Sequence, residues 1–315
     1  MHFMTTTQDK SGPVEAARIE RPNLIFISGI MRRSGTNYIA RLLLGHRDVC
    51  RPEGHWELPL FEAAGSFTRF HEAFLYRGPR GRLMKLRASF KQARHLDRLD
   101  YSVEDFARCF GEGLMGLLVE RVPVESRSSR YLLHKNPGTE GIEHFRRFFP
   151  DAKLIFIVRD GRDNVNSLMV ASGFKRRWGI KRRIAFCRFA REWARSAQRV
   201  LNYSARPESN CIVVRYEELY SDPERVLKQM SKYLELPTYA EWLDRGSDIT
   251  VTGSGFYRAS GDAVVESAGE TNWKAVSKTS QFKPVGRWRA SWSRLDKFLF
   301  ARIAGRELKD LGYLN

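Results

Sequence analysis

Cysteine is scarce in this chain. Cys50, Cys109, Cys187 and Cys211 are the only four in 315 residues, and no two show C-x-x-C spacing. That argues against a disulfide framework and against a zinc site, and it suits a reducing compartment. Long apolar runs are missing too. No stretch approaches the roughly 18 consecutive apolar residues that would mark a membrane span. The opening MHFMTTTQDK is polar, with no apolar core ahead of a cleavage site. Acidic residues are under-represented: 36 Asp and Glu stand against 54 Lys and Arg, a formal net charge of +18. Such an excess calls for an anionic partner, whether nucleotide, acidic substrate, nucleic acid or anionic membrane surface. The expectation is a cytoplasmic protein, peripheral at the inner membrane surface.

What is present is the material of a folded α/β protein. Apolar residues make up 42 % and aromatics 12 %, which excludes a disordered chain. The length suits one large domain or two small ones. Residues 1–20 read as a flexible lead-in, and 21–315 as one domain. Leu24–Ser28, Tyr131–Leu133, Lys153–Val158 and Cys211–Arg215 are short, continuously apolar runs of the kind found in buried parallel strands. Between them, Thr36–Leu44, Gly141–Phe149, a segment from Asp163 onward and a stretch carrying Phe186, Phe189, Trp193, Ala197 and Val200 have helical character. Asp222-Pro223 opens a further helix whose apolar face is Val226, Leu227, Met230, Tyr233 and Leu234. Strands alternating with helices predict a doubly wound α/β fold on a parallel sheet. Segments 55–100, 170–190 and 245–281 are expected to serve as substrate or lid elements. The last is rich in Gly, Ser and Thr and too long for an idle connection.

The segment LIFISGIMRRSGTN, Leu24 to Asn37, is a strand running into a Gly-and-Ser turn that opens a helix. Such a turn offers backbone N–H groups and a helix N-terminus to phosphate. Set on the nucleotide-triphosphate loop G-x-x-x-x-G-K-[ST] from Gly29, the second Gly falls on Ser34, the Lys on Gly35 and the hydroxyl on Thr36. The lysine is absent, and Arg32 and Arg33 precede the turn instead. The loop is equipped for phosphate and poorly equipped for ATP–magnesium chemistry. Taken alone, its alternative reading is an ordinary strand–helix connection, the less favoured of the two.

Three later segments add weight. Arg159 ends the KLIFIV strand, where ligands bind in open α/β sheets, and Ser167 follows eight residues on. A guanidinium and a hydroxyl so placed can share one phosphate. The structural alternative pairs Arg159 with Asp160 or Asp163. Tyr216 in VVRYEEL also stands at a strand end, where it can pack on a base or belong to the core. FKPVGRW, after the long loop, offers Lys283, Gly286 and Arg287, or is a basic surface turn.

The order of R-R-S-G-T-N, H-K-N-P, F-F-P-D-A-K-L-I-F-I-V-R-D-G-R-D-x-x-x-S, V-R-Y-E-E-L-x-x-D-P-E and K-P-V-G-R-W resembles the PAPS-dependent sulfotransferases, from about Leu24 to Trp288. The motifs are most similar to the protein-tyrosine and carbohydrate branch. The resemblance implies a P-loop-like three-layer fold, with a central parallel sheet flanked by helices. It implies PAPS as co-substrate and no metal. Arg32, Arg33, Ser34, Gly35, Thr36 and Asn37 would hold the 5′-phosphosulfate, and Arg159 and Ser167 the 3′-phosphate. Tyr216, Lys283 and Gly286 would close over the nucleotide. Arg33 and Lys135 would neutralise charge on the bridging oxygen. The family carries its base in a Gly-Glu-Glu segment near position 53, where this chain has Pro-Glu-Gly. Glu53 stands first for that role, then His55, then His134.

The acceptor is expected to carry a hydroxyl on a glycan, glycolipid, tyrosine or other phenol, and to be anionic or membrane-associated. Two basic stretches with interleaved apolar residues, Arg77–Arg98 and Lys175–Arg195, are suited to such a partner or are simply solvated helix faces. Nucleic acid is not expected, since no recognition helix, zinc spacing or RNA-binding signature is found. A P-loop kinase or NTPase and a basic nucleic-acid- or membrane-binding protein remain the alternatives at this level.

Overall fold

The computed structural model describes residues 22–53, 57, 59–74, 102–174, 179–248 and 284–314. Five parallel strands form one sheet: β1 (Asn23–Gly29), β2 (Val49–Cys50), β3 (Tyr131–Asn136), β4 (Lys153–Val158) and β5 (Cys211–Arg215). Their order is β2-β3-β1-β4-β5. In register, Phe26 lies beside His134 on β3 and Leu154 on β4. The predicted three-layer α/β arrangement is the one observed. The lead-in 1–20 and most of the segments 55–100 and 245–281 lie outside the described residues.

Strand alternation sorts the core into two halves. Phe26, Leu132, Leu154 and Phe156 point to one face, where they meet α2 (Leu60–Phe74), α3 (Val103–Glu120), α4 (Ile142–Phe148), α5 (Gly161–Ala171), α6 (Ile180–Ser204) and α11 (Arg294–Asp310). Ile25, Ile27, Leu133, Ile155 and Ile157 point to the other. There they pack on α1 (Thr36–Leu44), α7 (Tyr216–Ser221), α8 (Pro223–Leu234) and α9 (Ala240–Asp248). A strand buried on both faces needs apolar residues at every position, which is why β1 and β4 read as unbroken apolar runs.

The helix ends follow local chemistry. Asp222 caps α8 by accepting from the Arg225 amide, with Pro223 at the first turn. Ser102 and Ser293 open α3 and α11 through capping boxes with Asp105 and Asp296. A short α10 (Trp288–Ser291) leads into α11. Pro150 follows α4 and prevents its continuation.

The chain leaves β1 toward β2 on one side, and leaves β4 toward β5 on the other. The topological switch point therefore lies at the carboxyl ends of β1 and β4. That is where open α/β sheets hold ligands.

Candidate functional site

At this switch point lies a cavity of about 220 Å³ lined by Arg32, Arg33, Gly35, Thr36, Asn37 and Tyr38 from the turn after β1. Arg159 and Ser167 line it from β4 and α5, Tyr216 from the end of β5, Pro137 from the end of β3, and Pro284 and Arg287 from the turn before α10. Glu57 completes the wall.

The turn after β1 is held in an unusual shape. Gly35, the N-cap of α1, has φ of +106°, and Arg33 also lies in the left-handed region, at φ 75°. A Cβ on Gly35 would overlap the Tyr216 ring. The triphosphate-loop lysine therefore has no room at position 35. Gly29 is equally constrained, because a Cβ there would overlap the Ser34 hydroxyl and the Thr36 methyl. These close approaches set the N-terminus of α1 at the cavity, which Thr36 and Asn37 both line.

Arginine 33 pays for its left-handed backbone with contacts from α5 and β4. Its carbonyl accepts from Arg159 Nη1 at 2.8 Å, and its Nε donates to Ser167 Oγ at 3.3 Å. Arg159 is buried, donates Nη2 to the Pro284 carbonyl at 2.7 Å and lies 4.6 Å from the Tyr216 ring centroid. The alternative pairing of Arg159 with Asp160 or Asp163 is not what forms. Asp160 instead pairs with Arg162, and Asp163 accepts from the amides of Gly286 and Trp288. Asp163 thereby fastens the Pro284–Arg287 turn across the cavity mouth. Burial raises its carboxyl above the usual range, opposed by the Gly286 amide and by Arg159.

Burial pushes the Tyr216 phenol up to about 12, with Arg159 opposing. Tyr216 is thus a neutral wall of the cavity at physiological pH. Its ring packs against Gly35 and the Arg159 guanidinium.

Lys135 is fully buried on β3 and donates Nζ to Glu57 Oε1 at 2.7 Å. Burial holds its ammonium below the ordinary lysine range, and the hydrogen bond and charge of Glu57 oppose that. Asn136, next along, donates to both carboxylate oxygens of Glu62 on α2.

The expected residues fall into four groups. Arg32, Arg33, Gly35, Thr36, Asn37, Arg159, Ser167 and Tyr216 line the cavity, and Lys135 reaches it through Glu57. Ser34 is buried beneath the turn, and Gly286 shapes the turn that carries Pro284 and Arg287. Glu53 is exposed on the loop after β2 and does not line the cavity, and its amide bonds the Arg121 carbonyl. His134 is buried on β3 beside Phe26 and also does not line it. His55 and Lys283 lie outside the described residues. Glu57, Tyr38 and Pro137 were not singled out by sequence. Glu57 sits in the same RPEGHWE segment as Glu53, but its approach to Lys135 spans 78 residues, which no local spacing signals.

Three buried polar atoms at the site, the donors Ser34 Oγ and Arg159 Nε and the acceptor Asn37 Oδ1, have no hydrogen-bond partner among the described residues. Buried donors are seldom left so, and here they flank a cavity lined by four guanidinium groups. The donor set fits an anionic ligand.

Residues 22–241 match the family model described as Sulfotransferase family. Protein-tyrosine sulfotransferase 1 of Danio rerio is 26 % identical over 224 residues, 68 % of this chain and 53 % of that protein. Protein-tyrosine sulfotransferase 2 of Gallus gallus is 28 % identical over 238 residues, 71 % of this chain and 54 % of that protein. The chain thus spans about half the length of these curated relatives. The sulfotransferase domain from the Synechococcus PCC 7002 olefin synthase shares the fold, with a TM-score of 0.50 and 19 % identity across 90 % of this chain and 94 % of that one.

Proposed function

The chain belongs to the sulfotransferase family, and from that premise we propose that it moves the sulfuryl group of PAPS to an acceptor hydroxyl and releases adenosine 3′,5′-bisphosphate. The observation that supports this reading is the interlock of Arg33, Arg159 and Ser167 in a cavity lined by four guanidinium groups. A donor with phosphates on both sides of its ribose suits so cationic a cavity. The turn Arg32–Asn37 takes the 5′-phosphosulfate, Arg159 and Ser167 take the 3′-phosphate, and Tyr216 and the turn at Gly286 confine the nucleotide.

The chemistry is an in-line displacement, by analogy with phosphoryl transfer. The acceptor oxygen bonds to sulfur while the bond from sulfur to the bridging oxygen breaks. Negative charge collects on that leaving oxygen, and the acceptor proton must be removed. Arg33 and Lys135 supply positive charge for the first need. For the second we assign Glu57 rather than Glu53, because Glu57 lines the cavity and is oriented by Lys135. The relatives named for protein-tyrosine sulfation favour a phenolic acceptor, such as tyrosine in a peptide, over a sugar hydroxyl.

Melting curves test the donor. Adenosine 3′,5′-bisphosphate at about 100 times its Kd should stabilise the protein by about 2.7 kcal/mol, with or without a chelator. Stabilisation by ATP and magnesium, with none by the bisphosphate, would overturn the reading. Labelled PAPS with a panel of tyrosine peptides, phenols, glycans and glycolipids then identifies the acceptor by mass shift.

A further inference from the structure

Helices α6 and α11 start side by side. Arg182 on the first turn of α6 forms a bidentate pair with Asp296 on the first turn of α11, at 2.8 and 3.0 Å. Behind the pair, Phe186 packs on Trp292, with ring centroids 4.9 Å apart. At this shared end both helices carry large apolar side chains in water: Ile180 is 74 % exposed, Ile184 63 %, Leu295 40 % and Phe298 61 %. These are four of the eight large apolar residues exposed among the described residues. Scattered exposed leucines need no explanation, but four large apolar side chains exposed in the first two turns of two clamped helices do.

The same helix starts are cationic. Lys181, Arg183, Arg188, Arg289, Arg294 and Lys297 are all exposed on α6, α10 and α11. Across 179–191 and 287–302 the sole carboxylate is Asp296, and Arg182 already holds it. Each helix then continues its exposed stripe with arginines. Ile180 and Ile184 lead at helical spacing to Arg188, Arg191 and Arg195, and Leu295 and Phe298 lead to Arg302 and Arg306. A second cavity, of about 480 Å³, opens at the same end. Arg182, Arg287 and Ser291 are among its polar walls, and Met169 and Trp292 among its apolar ones.

We propose that this end of the molecule docks on a bilayer bearing anionic lipids. Ile180, Ile184, Leu295 and Phe298 enter the boundary between headgroups and acyl chains. The flanking lysines and arginines meet the headgroups, and the second cavity seats one of them. A soluble polyanion would use the cations and leave the four apolar side chains in water. A bilayer uses both, as interfacial elements do. The second cavity shares Arg287 with the donor cavity, but none of the four apolar side chains lines either one, so the proposal does not rest on the sulfuryl-transfer reading.

The test is co-sedimentation of the full chain with phosphatidylcholine vesicles, with and without phosphatidylserine, at low salt. The control ligand is soluble heparin. Wild type should bind the phosphatidylserine vesicles and not phosphatidylcholine alone. The neutral double variant Ile184→Ser/Phe298→Ser should lose vesicle affinity at least about tenfold, the scale of one large apolar side chain left in water. Its heparin affinity and melting curve should stay those of wild type, since both positions are exposed. Absence of vesicle binding by wild type would overturn the proposal. So would vesicle binding that the double variant retains in full, which would make the surface a site for soluble polyanions.

Discussion

At the residue scale, the site is a set of close approaches that single atoms decide. Gly35 is fixed twice, by its left-handed backbone and by the Tyr216 ring lying where a side chain would go. Gly286 also has positive φ, at 79°, but the nearest atom to an added Cβ is Arg289 Nε at 3.7 Å. Gly35→Ala should therefore cost more than the roughly 1–2 kcal/mol of backbone strain that Gly286→Ala costs. Its Tm should fall by more than about 2–4 °C, and bisphosphate binding should weaken with it. Equal losses in the two variants would show that Tyr216 does not set the shape of the turn. For Glu57 the expectation is kinetic. Glu57→Gln should lower kcat by roughly two orders of magnitude, the usual weight of a positioned general base, and leave bisphosphate affinity near wild type. Glu53→Gln should leave kcat unchanged, because that carboxylate is exposed outside the cavity. The reverse pattern would return the proton to Glu53.

At the element scale, the strands that matter most are the ones the sequence makes plain. Lys153–Val158, Cys211–Arg215 and Thr36–Leu44 form with the limits their pattern predicts, because unbroken apolar runs and turn residues bound them. β2 has only two residues, too few for any period, and is defined by its pairing with β3. Tyr216 stands at the end of β5 as expected and opens α7 there, and the neighbouring Glu217 explains how that helix is tied in. Its carboxylate accepts from the Asp160 amide at 2.9 Å and from the Tyr313 hydroxyl at 2.9 Å. These partners lie 57 and 96 residues away, so sequence spacing could not announce them. Burial raises the Glu217 carboxyl above its usual range, opposed by these hydrogen bonds and by Arg159. A raised folded pKa means the native state holds this proton more tightly than the unfolded chain. Its contribution to stability is then full at acid pH. It is lost as pH climbs from the ordinary carboxylate range through the raised value. The stability difference between wild type and Glu217→Gln, from denaturant melts at a series of pH values, should fall over that window. The slope should not exceed about 1.4 kcal/mol per pH unit. A flat difference would mean that water reaches the carboxylate.

At the scale of the whole molecule, the +18 charge is divided between two kinds of surface with different responses to salt. Of the donor-cavity arginines, Arg159 is buried outright, Arg33 and Arg287 are half-buried and Arg32 is exposed. The arginines of the α6 stripe stand in water. Screening acts over about 10 Å at 0.1 M salt and weakens exposed charges far more than buried ones. Raising salt should therefore weaken vesicle binding steeply and bisphosphate binding only modestly. The triple reversal Arg188→Glu/Arg191→Glu/Arg195→Glu separates the two directly. Three reversals of two units each take the net charge from +18 to +12, all on one face of α6. That variant should lose anionic-vesicle binding while its melting shift with the bisphosphate persists, because none of the three residues lines the cavity. If the bisphosphate shift disappeared together with vesicle binding, in a variant that melts like wild type, the two functions would share one electrostatic field. The division of the charge into a donor site and a docking face would then be wrong.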